Sequence, residues 1–404
     1  MLSLPNIETL QPQLVDGVYR FDSENTQLVK LDLLFEAGSA YQPKKLCASA
    51  AAKLLTVATP TMDSSVLAEF MDYRGILVET DSQVLQSSVT FYFLRRFADE
   101  LLPVVTSMLG KPSFSESDFE TWRKKRRQEI LAAEQKTATI ARRNFYLNLF
   151  GDDHPLGRYA TAADLDRLSV EDVREYIRRR YTTANMTVVV AGAPIDTAVL
   201  RTSPTVVDYR LSIPATTHPQ SQKITEHLAT ATQTSIRVGR SLPLAWDSPD
   251  YARLMLLTTL LGGYFGSRLM GNLREDKGYT YGIYARTQIY RGMIVFYITA
   301  DVAGGTSDAA EREVMHELER LVDNPVPEEE LELVKTVMAG DFLRSVDGIF
   351  ERSARFCDMY ATCVTERLTE NLRDALQSAT PRQLQELAEK YLRPVDMVVS
   401  TAGV

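Results

Sequence analysis

The feature that most constrains this chain is that it repeats itself. The first half closes with LSVEDVREYIRRRYTTANMTVVVAG and the second with ATPRQLQELAEKYLRPVDMVVSTAG. Each copy opens on a helix cap with a partner three residues on, Ser169 with Asp172 and Thr380 with Gln383, and Pro381 suits the first helical turn. In each a tyrosine, Tyr181 or Tyr391, then precedes an apolar strand that ends at Gly192 or Gly403. Upstream, FSESDFETWRKKRRQEIL from Phe114 faces VPEEELELVKTVMAGDFL from Val326, both acidic at the start and helix-forming after it. Near their beginnings the halves carry alternating runs, TQLVKLDLLFEAG and TQTSIRVGRSLPL, which predict half-buried strands. A duplication of this kind implies an α+β chain of two homologous domains, each an antiparallel-rich sheet packed by helices. Residues 201–222 are rich in Pro, Ser and Thr and read as an exposed linker, so the domains are expected at 1–200 and 223–404.

A length of 404 residues exceeds what one core usually serves, in agreement with two domains. The net charge of −8 opposes non-specific attraction to nucleic acid or anionic lipid. Cys47, Cys357 and Cys363 have no metal-binding spacing and predict buried thiols in a reducing compartment. No run approaches the roughly 20 apolar residues of a membrane span. The opening MLSLPNIETLQPQ lacks a basic and an apolar leader region, so the expected address is the cytoplasm, or the periplasm where a leader has been trimmed.

Residues able to do chemistry are few. The four histidines are His154, His218, His227 and His316, and none lies in the first 150 residues. His316-Glu317-Leu318-Glu319-Arg320 has arginine where a zinc helix needs its second imidazole, so it reads as a solvated helix face. The other three histidines are expected at the surface. Cys47 sits in the apolar run LCASAAAKLL, without a base to activate it, and is expected to pack inside a helix. LLGGYFGSRLM lacks the Gly-Lys-Ser/Thr of a phosphate loop, and Arg123 to Arg127 reads as a solvated helical face.

The order of these features resembles the pitrilysin/insulinase family of inverted zinc metallopeptidases, and its relatives the mitochondrial processing peptidases and the core subunits of the respiratory cytochrome complex. FEAGSAYQP is similar to the family's strand and turn before its metal helix, and MDYRGILVETDS to its glycine-bearing hairpin. HPLGRYATAADLDRLSVEDVREYIRRRYTTANMTVVVAG is similar to its closing segment, and GGYFGSRLMGNLREDKGYTYGIYA to its glycine-rich turn, helix and Arg/Tyr motif. The family's metal motif is His-x-x-Glu-His with a distant glutamate as third ligand. Here Ser49-Ala50-Ala51-Ala52-Lys53 aligns with it, and Glu129 stands 76 positions beyond Lys53, where the third ligand is expected. Trp122 stands where a further upstream glutamate is often found. Serine and lysine do not replace two neutral imidazoles, and Ala52 offers no general base. The resemblance therefore implies no metal in this chain, with Glu129 a remnant paired to Lys53 or to the neighbouring arginines.

Arg274 and Tyr281, seven residues apart in LREDKGYTY, match the family's Arg/Tyr pair, which reaches across a closed chamber to bind the substrate carbonyl. Alternatively, Arg274 makes an ion pair with Glu275 or Asp276 and Tyr281 begins a half-buried strand. Family members of this length form half of a clamshell and close it by pairing two chains. The resemblance thus implies a non-catalytic subunit, inactive alone, acting on unfolded peptides with a His-x-x-Glu-His-bearing partner that holds the zinc. The other reading is a structural or peptide-binding protein, like the core subunits, with no catalytic contribution.

Overall fold

A computed structural model describes residues 5–6, 10–200, 211–214 and 222–404. In the first half β1 (Gln13–Val15), β2 (Val18–Asp22), β3 (Leu28–Phe35), β4 (Leu77–Ser82), β5 (Ser87–Leu94) and β6 (Met186–Gly192) form one sheet in the order β1-β2-β6-β3-β5-β4. In the second, β7 (Lys223–His227), β8 (Gln233–Leu242), β9 (Thr280–Tyr290), β10 (Met293–Ala303) and β11 (Val398–Gly403) lie in the order β7-β11-β8-β10-β9. With β1 set aside the two orders are the same, each with one parallel pair, β2 with β6 and β7 with β11. The fold class is the α+β duplication that the repeated sequence predicts.

The helices are α1 (Cys47–Leu54), α2 (Ser64–Tyr73), α3 (Ala98–Met108), α4 (Glu116–Ala133), α5 (Thr137–Phe150), α6 (Ala162–Arg167) and α7 (Val170–Arg180) in the first half. The second half holds α8 (Pro249–Gly262), α9 (Ser307–Asp323), α10 (Glu328–Arg344), α11 (Ile349–Thr362), α12 (Arg367–Ser378) and α13 (Pro381–Tyr391). Both expected caps form. Ser169 Oγ accepts from the Asp172 amide at 3.2 Å and Asp172 accepts in return from the Ser169 amide at 2.8 Å. Thr380 and Gln383 repeat this at 3.4 and 3.1 Å.

One face of each sheet packs on helices of its own half, and the other face on a helix lent by its neighbour. Helix α5 lays a stripe of Thr137, Ile140, Ala141, Asn144, Phe145, Asn148 and Leu149 inward, the spacing of one helical face. It runs along β8 and β11 of the second sheet, where Ser235 donates to Thr137 at 2.8 Å and Asn144 donates to Glu226 at 2.8 Å. In exchange α11 crosses β2 and β6, with Phe356 against Tyr19 at 4.7 Å and Tyr360 bonded to Thr187 at 2.7 Å.

This exchange corrects the expectation of half-buried strands. All but the first residue of β3 is buried, because α11 covers the face that alternation assigns to solvent. Lys30 and Asp32 are consequently shut in and pair at 2.9 Å, with Thr90 donating to Asp32 at 2.8 Å. A buried polar link between the halves is Glu36 with Arg291, bidentate at 2.5 and 2.7 Å with side chains 6% and 4% exposed. Arg291 also donates to the Ala361 carbonyl at 2.8 Å, and the Tyr41 hydroxyl donates to Glu36 at 2.7 Å.

Most of the linker segment 201–222 lies outside the described residues. Its described stretch 211–214 is docked, not exposed throughout: Ile213 is buried in an apolar cluster with Phe145 and Met293, and its amide donates to the Arg291 carbonyl at 2.7 Å, while Gln222 is exposed. Gly75 also departs from expectation. With φ of 63° it turns the end of α2 into β4, and the β4–β5 hairpin itself is closed by Gln83 to Gln86.

Candidate functional site

Four of the positions aligned with the family's metal site come together. Ser49, Ala52 and Lys53 on α1 and Glu129 on α4 line one cavity of about 540 Å³, with Asp81 of β4 and Trp122, Lys125 and Arg126 of α4. The α4 contributions fall at positions 118, 121, 122, 125, 126 and 129, so they share one helix face. That spacing within the basic run was a readable sign that two of its cations meet the aligned metal positions; a reading as a solvated face alone misses it.

The donors are wrong for zinc. Lys53 brings an ammonium, Ala52 has no donor atom, and Ser49 Oγ is spent on the Leu46 carbonyl at 3.0 Å. Glu129 pairs with Arg126 at 3.0 Å, the arginine option of the two expected for it. Among the described residues no three His, Cys, Asp or Glu side chains converge as a metal site requires. The donor set of this cavity therefore does not fit the zinc that the family's His-x-x-Glu-His motif holds.

The second motif is presented outward. After α8 and the glycine-rich turn, residues Met270–Asp276 form a π-helix whose buried contacts are Met270 and Leu273, and Arg274 follows on its open side. Its guanidinium lies over the Phe265 ring at 4.4 Å, and no ion pair with Glu275 or Asp276 forms. Tyr281 stands at an irregularity of β9. Thr280 pairs with Val302 and Ile283 with Ala300, so two residues of β9 oppose one of β10. The extra residue lets Thr280 and Ile283 both point inward while Tyr281 is 99% exposed. Phe265 beneath Arg274, and Tyr281 and Tyr284 on β9, are all exposed. The sequence predicts neither the π-helix nor the bulge.

The cavity of the first half is lined entirely by residues between Ser49 and Glu129, so Arg274 and Tyr281 of the same chain do not reach into it. The groove continues along β4 past Lys53, Glu79 and Thr90. As the outermost strand of its sheet, β4 has one free hydrogen-bonding edge among the described strands.

Other candidates settle differently. Cys47 is buried in α1 as expected, donates to the Asp172 carbonyl at 3.4 Å, and burial pushes its thiol up to about 12, which removes the thiolate at neutral pH. His316 is exposed on α9 and His227 exposed on β7, and His218 lies outside the described residues. His154 corrects the surface expectation. It is 8% exposed, stacks on Phe150 at 4.5 Å, and accepts at Nδ1 from the Leu156 amide, which leaves Nε2–H to donate to the Pro214 carbonyl at 3.0 Å. Desolvation holds its pKa below the ordinary imidazole value, against the effect of that last bond.

Residues 167–338 match the family described as the peptidase M16 inactive domain; this span contains Arg274 and Tyr281 and leaves out Ser49, Ala52, Lys53 and Glu129. The non-peptidase homolog YmxG of Helicobacter pylori is 22% identical over 268 residues, 64% of this chain and 61% of that protein. The probable mitochondrial-processing peptidase subunit beta of Arabidopsis thaliana is 24% identical over 331 residues, 76% of this chain and 60% of that protein. The chain thus spans about three fifths of the length of both relatives. A crystal structure of a peptidase M16 inactive domain from Pseudomonas fluorescens superposes with a TM-score of 0.85 over 97% of each chain at 20% identity, which is a likeness of fold.

Proposed function

Taking this chain as the M16-peptidase relative that its inactive-domain match and its fold make it, we propose that it is the non-catalytic subunit of a heterodimeric zinc metallopeptidase. The observation that carries this reading is the split between the halves: a ligand-poor cavity in the first, and an outward-facing Arg274 and Tyr281 in the second that do not serve that cavity. A guanidinium and a phenol are donors suited to a substrate carbonyl that becomes an oxyanion. The partner subunit supplies His-x-x-Glu-His and its zinc. Unfolded peptides are the substrates, held in part by strand pairing along the open edge of β4. The pair works in the cytoplasm, or in the periplasm if a leader has been removed.

Peptidase assays of the chain alone and of the chain with its partner test this. Activity is expected only in the pair, and Arg274→Ala is expected to lower turnover by about 10²-fold or more, as loss of an oxyanion donor does. A stable pair whose turnover ignores both Arg274→Ala and Tyr281→Phe overturns the reading. That result would favour the scaffold alternative, for which the packing of Arg274 on Phe265 is the supporting contact.

A further inference from the structure

A second cavity, of about 190 Å³, lies where the halves meet, between α5, the 151–159 turn and Tyr290 of β9. Arg142, Arg143 and Arg158 line it together with the rings of Tyr146, Tyr159 and Tyr290. No carboxylate lines it among the described residues. Arg143 is committed to Glu226 at 2.7 Å, whereas among the described residues Arg158 donates only to the Asp153 carbonyl and Arg142 forms no hydrogen bond or ion pair. Arg237 stands behind this wall, 7% exposed, over Tyr297 at 4.1 Å and Tyr146 at 5.5 Å. Its Nε has no hydrogen-bond partner, and no acid pairs with it among the described residues. Desolvation holds its pKa below the ordinary value, and Arg142 lowers it further. Among the described residues the four guanidiniums in and behind this small cavity form one ion pair, with Glu226, and Glu134 acts on the wall at Tyr159, which leaves an excess of positive charge that an oxyanion would neutralise. The turn that carries Arg158 depends on Gly157, where any Cβ would sit 1.8 Å from the Gly151 carbonyl oxygen.

We propose that this junction cavity is a binding site for a small dianionic phosphate compound, gripped by Arg142 and Arg158 and walled by the three tyrosine rings. The site goes beyond the peptidase reading and does not depend on it. Residues of both halves line it, so an occupied site fastens α5 and its turn to the second sheet.

Isothermal titration of the intact chain at constant ionic strength tests the site with inorganic phosphate, phenyl phosphate and acetate. Saturable binding of one phosphate compound per chain is expected, with Arg142→Gln and Arg158→Gln each weakening it about tenfold or more. Both arginines are exposed, and unchanged circular dichroism confirms that the variants fold. Tighter binding of phenyl phosphate would assign a phosphomonoester on an aromatic body, and equal binding the phosphate group alone. Absence of saturable binding, binding indifferent to both substitutions, or acetate binding as tightly as phosphate overturns the proposal.

Discussion

After its long central strand the first half places α1, whose open face presents Ser49, Ala52 and Lys53; at the same topological position the second half places α8 and then the π-helix that raises Arg274. Both positions are scaffolded alike, by an apolar helix pressed on a sheet of the same strand order. They differ in the few side chains that face away from the core. Strand order and helix packing depend on many apolar contacts and tolerate a single change, whereas a metal or oxyanion site depends on two or three donor atoms. Copies of one fold can therefore lose or keep chemistry independently.

The largest expected effect tests that statement directly. Ser49→His, Ala52→Glu and Lys53→His introduced together place two imidazoles beside Glu129, and atomic absorption should find about one zinc per chain in the triple variant against none in the parent. If the triple variant binds no zinc, the cavity differs from the family's metal site in backbone as well as in side chains.

Next in size is the seam between the halves. Arg291→Ala leaves Glu36 charged and buried, and should lower unfolding stability by about 3–5 kcal/mol in urea titrations. A loss below about 1 kcal/mol, the usual worth of a surface pair, would mean that the seam is held by its other contacts and not by this pair.

The smallest effect separates the two closing helices. Ser169→Ala and Thr380→Ala should each cost about 1 kcal/mol at neutral pH, since each removes one capping bond. Their acid behaviour should differ. Partial burial raises the Asp172 pKa, but hydrogen bonds from Lys44 and Ser169 outweigh it and hold the carboxyl below its usual value. Its stabilisation is complete above the unfolded-state pKa and fades as pH falls through the folded one, and Ser169→Ala removes part of it. The cost of Ser169→Ala should shrink in acid, while that of Thr380→Ala, opposite the non-titrating Gln383, should stay constant; parallel curves would show that Asp172 is not coupled to its cap.

These cases show which parts of the molecule were legible beforehand. The caps, the closing strands and the duplication could be read because each depends on residues a few positions apart. The meeting of Ser49, Lys53 and Glu129 followed from resemblance, and the two α4 cations beside them could have been found from the 122, 125, 126, 129 spacing. The Tyr281 bulge could not, because it is fixed by the register of β10, a different strand.

The sequence by itself determined the repeated α+β plan, the absence of imidazoles from the first 150 residues, and the Arg274 and Tyr281 spacing. The tertiary structure alone decided that α5 and α11 are exchanged between sheets, and with that exchange the burial of Lys30 with Asp32, of His154, and of Arg237 behind its cluster of arginines. Periodicity reports which side of an element is apolar and nothing about which distant element will cover the other side. That depends on long-range packing, and here it sets where charge is trapped and where chemistry remains exposed.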